Sequence, residues 1–156
     1  MPEPSRLDRT FSIIIERMIA TGKAPSHTDI AAELGVPPEQ GRSALRKLIL
    51  GFGFPGWFTP KTDNIETFAP FSVVPTRHRV TIGGEQKWFA QCAFESLAIC
   101  WLFPGRTVRV DSVCPDCGEP VRVEVKDGKI EVEEPKGLIG HVSIPLRRWI
   151  FNWPYT

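Results

Sequence analysis

The sequence predicts an α+β protein, with an N-terminal helix-turn-helix-like helical module packed on a mixed β-sheet core with one buried helix. Three observations predict it. Up to about residue 50, apolar residues recur every three or four positions; beyond Gly51 they alternate in short runs. A single apolar stretch, residues 88–103, has neither Gly nor Pro inside it. The expected division is a winged-helix-like module over residues 1–54 and an α+β core over residues 55–156.

Leu7, Phe11, Ile14, Ile15, Met18 and Ile19 form one apolar stripe, so the first helix is amphipathic. Ser26, behind Pro25, is placed to cap a two-turn helix over His27–Leu34, which Gly35 ends. Pro37-Pro38-Glu39 opens a third helix, because the first turn of a helix leaves unbonded the N–H that proline lacks. Gly51 to Gly56 reads as a turn-rich joint, and Asp63-Asn64 as a hairpin tip. Strands are expected at Phe71–Val74, His78–Ile82, Thr107–Val110, Val121–Val125, Ile130–Val132 and Leu138–Ile144. Gly83-Gly84 and Lys126-Asp127-Gly128-Lys129 supply turns. Residues 88–103 read as the buried helix, stopped by Pro104-Gly105.

Composition narrows the function. The chain has 156 residues, 42% hydrophobic and 24% charged, with a formal net charge of +1, which provides no field of the kind that drives nucleic-acid binding. The third helix offers Gln40, Arg42, Ser43, Arg46 and Lys47 to a groove, but acidic residues nearly balance basic ones through the first fifty positions. DNA is therefore not the expected partner. The first apolar run meets Glu16 and Arg17 at once, so no secretory leader is expected, and no stretch approaches the ~20 apolar residues of a membrane span. Four cysteines without a secretory context read as reduced thiols in a cytoplasm.

The chemistry gathers around those cysteines. Trp88-Phe89-Ala90-Gln91-Cys92-Ala93-Phe94-Glu95-Ser96-Leu97 places a thiol and a carboxyl three residues apart, on one face if helical. Thiolates are the preferred ligands of soft metals. Near a helix start, the positive dipole end is expected to lower the Cys92 pKa, and an apolar pocket to raise that of Glu95 so that it can hold a proton and deliver it. The plainer alternative is that Cys92 is a small core residue and Glu95 solvates the first turn. Cys114-Pro115-Asp116-Cys117 has the spacing of a zinc knuckle or redox pair. With no second CxxC, a zinc site needs Cys92, Cys100, His78 or His141 to complete it. Otherwise the motif is a turn carrying two reduced thiols. His78, His141 and the arginines at 77, 79, 106 and 109 read as structural or surface groups.

Residues 71–145 resemble the organomercurial (alkylmercury) lyase family. The likeness is carried by Pro70-Phe71-Ser72, Pro75-Thr76-Arg77-His78-Arg79-Val80, the segment around Cys92, Gly105-Arg106-Thr107-Val108-Arg109-Val110, and Cys114 with Gly118-Glu119-Pro120-Val121. Glu134-Pro135 and Ser143-Ile144-Pro145 fit the later strands. The resemblance implies a helix-turn-helix-like domain that does not read DNA, no required cofactor, and cleavage of a carbon–mercury bond by protonolysis. It implies that Cys92 captures mercury as a thiolate and that Glu95 protonates the carbon leaving group. Glu95 stands where the family usually has Asp. Cys114 matches a cysteine with a structural role. The family's second mercury-binding cysteine falls where positions 147–156 here hold none.

The function these readings predict is that of an organomercurial lyase, acting on a small organomercurial with a low-molecular-weight thiol, or with Cys100, Cys114 or Cys117, as the second sulfur. Two alternatives accompany it. One is a non-catalytic relative that binds mercury or zinc through Cys92, Cys114 and Cys117. The other is a metal-responsive regulator that binds DNA through residues 26–50.

Overall fold

Residues 3–51 and 56–141 are described by the structure, a computed structural model of the chain. Two compact units divide it between Phe68 and Ala69. In the first, α1 (Arg6–Thr21), α2 (His27–Leu34) and α3 (Pro38–Arg46) are followed by a π-helical turn, Lys47–Gly51. A two-stranded antiparallel ribbon, β1 (Gly56–Phe58) and β2 (Ile65–Phe68), completes it. Asp63-Asn64 lies in the connecting loop as expected, while the inner part of the 51–56 joint falls outside the described residues.

The helix ends follow their side chains. Ser5 and Ser26 each accept from the backbone N–H three residues on, and Asp8 and Asp29 return the bond to the cap N–H. These two capping boxes satisfy N–H groups that a helix start leaves unbonded. Gly22 and Gly35 end α1 and α2 in the left-handed conformation. Ile14, Met18, Ile30 and Leu45 are sealed inside, and the rings of Phe11 and Phe68 meet at 5.6 Å. At Gly41, α3 passes close to α2: a Cβ there would stand 2.6 Å from both Ala31 Cβ and the His27 carbonyl oxygen.

The second unit is an antiparallel sheet in the order β3-β5-β4-β6-β7-β8. Its strands are β3 (Phe71–Ser72), β4 (Arg79–Ile82), β5 (Glu85–Ala90), β6 (Val108–Val113), β7 (Pro120–Lys126) and β8 (Lys129–Glu134). All its pairings run antiparallel, so the expected mixture of strand directions is corrected. Short connections explain this, since a hairpin joins antiparallel strands whereas parallel ones need a long crossover. Gly83-Gly84 turns β4 into β5, and Asp127-Gly128 turns β7 into β8 with both residues at positive φ.

The long helix expected over residues 88–103 is also corrected. Trp88 and Ala90 belong to β5, and only Ala93–Ala98 form a helix, α4, continued by a 3₁₀ turn at Ile99–Leu102. Val80, Ile82, Trp88, Ala90, Val108, Val110 and Val125 bury one side of the sheet, joined by Ile99, Cys100 and Phe103. Trp88 meets the Phe103 ring edge-on at 5.3 Å. Leu138 to His141 form no strand, and the rest of that expected element lies outside the described residues.

Substituting Gly41→Ala should destabilise the helical unit by about 1–3 kcal/mol, the usual cost of overpacking. Chemical denaturation followed by circular dichroism reads this; an unchanged midpoint would contradict the close approach of α2 and α3.

Candidate functional site

Cys92 sits where the sheet hands the chain to a helix. After β5 ends at Ala90, the Gln91 N–H donates to the Pro70 carbonyl at 3.1 Å. Cys92 is then extended (φ −144°, ψ 173°) and stands immediately before α4, with Glu95 in the first helical turn. Thiol and carboxyl thus meet across a helix start rather than along a helix face.

Little solvent reaches the Cys92 side chain. Cys92 is 7% exposed, and Oε2 of Glu95 is closed off from solvent. Burial pushes the Cys92 thiol up to about 11, and the charge and hydrogen bond of Glu95 push the same way. The N–H groups of Glu95 and Phe94 face the sulfur and favour its thiolate, without closing a capping hydrogen bond. The expected lowering at a helix start is therefore corrected: α4 has six residues, and desolvation beside a carboxylate outweighs its N–H groups. Cys92 rests as a thiol.

The Cys92 segment is held by residues that sequence reasoning set aside. Thr76 Oγ1 donates to the Ala90 carbonyl at 2.7 Å, and the Ala90 N–H donates to the His78 carbonyl at 3.0 Å. The His78 ring nitrogen Nδ1 and Ser112 Oγ share a hydrogen bond of 2.9 Å. Burial, then the charge of Arg77, lowers the His78 pKa to about 4. His78 is therefore neutral near pH 7, and its carbonyl holds Ala90, two residues before Cys92. The Pro75–Val80 segment carried the signal, but nothing local to it reveals a partner strand.

The other cysteines lie elsewhere. Cys100 is buried in the 3₁₀ turn, and Cys114 and Cys117 occupy the connection between β6 and β7. There the N–H groups of Cys117 and Asp116, with the Cys117 thiol, face the Cys114 sulfur and hold its pKa below the ordinary thiol value. Among the described residues, no three His, Cys, Asp or Glu side chains converge to hold a metal ion. The possible zinc at Cys114 and Cys117 finds no support among the described residues, because a tetrahedral ion wants four ligands and no third donor converges there. Among the described residues, neither Cys100 nor the dithiol makes a metal-holding group of three with Cys92 and Glu95. No helix among the described residues is long and apolar enough to cross a membrane.

The sequence pattern of the alkylmercury lyase family matches residues 71–153, more than half of the chain and including every cysteine. The chain belongs to the alkylmercury lyase family. It is 30% identical over 132 residues to the alkylmercury lyase of Staphylococcus epidermidis, covering 83% of this chain and 56% of that protein. It is 28% identical to the alkylmercury lyase of Bacillus cereus, covering 83% of this chain and 55% of that protein. The chain thus spans about half the length of the curated relatives it matches. The crystal structure of the mercury-bound form of MerB2 shares the fold, with a TM-score of 0.64 at 24% identity, over 82% of this chain and 61% of that one.

Labelling of Cys92 by iodoacetamide should be slow at pH 8 and accelerate as the pH approaches about 11. Glu95→Gln removes a charge that raises the thiol pKa, so it should speed labelling at fixed pH. Peptide mass spectrometry reads both; labelling at pH 8 as fast as a free cysteine would contradict the burial argument.

Proposed function

We propose that this protein cleaves a carbon–mercury bond by protonolysis at Cys92 and Glu95. The observation that carries this reading is the sealed Cys92 thiol within reach of the Glu95 carboxylate at the end of β5. Mercury binding displaces the proton from a thiol even when its pKa is high, because the metal needs the thiolate. Glu95 is the adjacent group able to receive that proton.

The atoms balance. Cys92 S–H attacks R–Hg–SR′ and forms Cys92–S–Hg–R, with the thiol proton passing to the Glu95 carboxylate. The released R′S⁻ adds to mercury and enriches the carbon with electron density. Glu95 then gives its proton to that carbon, R–H leaves, and Cys92–S–Hg–SR′ remains. No oxidation state changes, and no cofactor is called for. The second sulfur is a small external thiol, because among the described residues no third donor converges with Cys92 and Glu95 on one metal position. Such thiols belong to a reducing, cytoplasmic setting.

A non-catalytic mercury-binding relative would share this geometry and differ only in turnover. A DNA-binding regulator is disfavoured by a specific contact. Arg42 and Arg46 on α3 both pair with Asp63, each at 2.5 Å, so two of the cations that would face phosphates share one carboxylate within the module and their combined charge is halved.

Purified protein incubated with phenylmercury and excess small thiol should release benzene, followed by gas chromatography. Cys92→Ser should release none. Glu95→Gln should still bind mercury, with turnover lower by on the order of 10²–10⁴, the usual contribution of a positioned acid. Benzene from Cys92→Ser would overturn the assignment, and no benzene from the unaltered protein would favour the non-catalytic relative.

A further inference from the structure

The described residues also hold a pair of neighbouring thiols, Cys114 and Cys117, which the lyase reading does not use. We propose that Cys114 and Cys117 form a surface site that takes bare Hg²⁺ as a two-coordinate dithiolate. The turn that carries them is built to bring the two sulfurs together. The Cys114 N–H donates to the Glu119 carbonyl at 2.8 Å, and the Gly118 N–H returns to the Cys114 carbonyl at 3.0 Å. Gly118, at φ 75°, lets the chain double back immediately after Cys117. The Cys117 thiol and the N–H groups of Asp116 and Cys117 all face the Cys114 sulfur.

The occupant follows from coordination. Both thiols are unoxidised; Cys117 is exposed and Cys114 half-exposed, so a ligand reaches them without the barrier that surrounds Cys92. No third donor converges on them among the described residues. A tetrahedral ion is left half-liganded there, whereas a soft ion content with two opposed sulfurs is fully served. The exchange is balanced: R′S–Hg–SR′ and two cysteine thiols give Cys–S–Hg–S–Cys and two R′SH, without redox change.

Chelation also sets selectivity. Once one sulfur has bound, the second bond is intramolecular, with an effective concentration of the order of millimolar or more. An organomercurial cation R–Hg⁺ already holds one strong bond to carbon, so a second thiol adds only a weak third contact rather than a second full bond. The site therefore discriminates the product of carbon–mercury cleavage from its substrate. It rests on the lyase reading only for where the Hg²⁺ comes from.

The test uses the full chain carrying Cys92→Ser. It is loaded with Hg²⁺ or with phenylmercury, washed with excess glutathione and desalted, and its mercury is counted by mass spectrometry. About one mercury per chain should survive from Hg²⁺ and almost none from phenylmercury. Adding either Cys114→Ser or Cys117→Ser should abolish retention, and retained Hg²⁺ should protect both thiols from alkylation. The proposal is overturned if Cys92→Ser keeps no Hg²⁺, or if retention survives the loss of Cys114 or Cys117. Benzene release by the unaltered chain is read separately. Release without retention would sink this site alone, whereas retention without release would sink the lyase reading alone.

Discussion

The site depends on the way the chain leaves the sheet at residues 90–92. Both backbone groups of Ala90 are bonded to the segment that precedes β4, through Thr76 Oγ1 and the His78 carbonyl. Gln91 is fixed by its N–H to the Pro70 carbonyl. With three bonds holding two residues, Cys92 has little freedom in where it presents its sulfur. The helix that follows then brings Glu95 back over it. A loop could place the same two side chains, but without backbone bonds of this kind to fix them.

That closure gives the thiol its character. A buried sulfur beside a carboxylate keeps its proton, and Cys92 does so up to about 11. The turn at Cys114 does the reverse with the same residue type, since backbone N–H groups face an accessible sulfur and lower its pKa. One thiol is a closed partner to a proton acceptor; the other belongs to an open pair. The difference arises from desolvation against hydrogen bonding, the two terms that most often set a cysteine's reactivity.

Much of this was legible in the sequence, for reasons that lie close to the residues concerned. Ser26, Gly35 and Pro38 mark helix ends through bonds made within a few positions, and the structure places each as read. Asp127-Gly128 specifies a hairpin in the same local way. The stretch 88–103 was misread because an unbroken apolar run fits a buried strand or a buried helix equally, and Trp88 and Ala90 are buried in a strand. Pairing Cys92 with Glu95 needed only their spacing and survives the change from helix face to helix start. The roles of Thr76 and His78 stayed hidden because they depend on which strand lies beside β5. The same limit applied to zinc: whether a third ligand reaches Cys114 and Cys117 is a property of the fold, not of the spacing.

The central claim is that Cys92 captures the organomercurial and Glu95 supplies the proton that ends its carbon–mercury bond. The most direct measurement is peptide-mapped mass spectrometry of Glu95→Gln protein after exposure to phenylmercury and quenching. An intact phenylmercury adduct on the peptide bearing Cys92 is the predicted result, because capture proceeds while protonolysis stalls. An adduct confined to other cysteines, or inorganic mercury on Cys92 with the phenyl group already gone, would contradict the account.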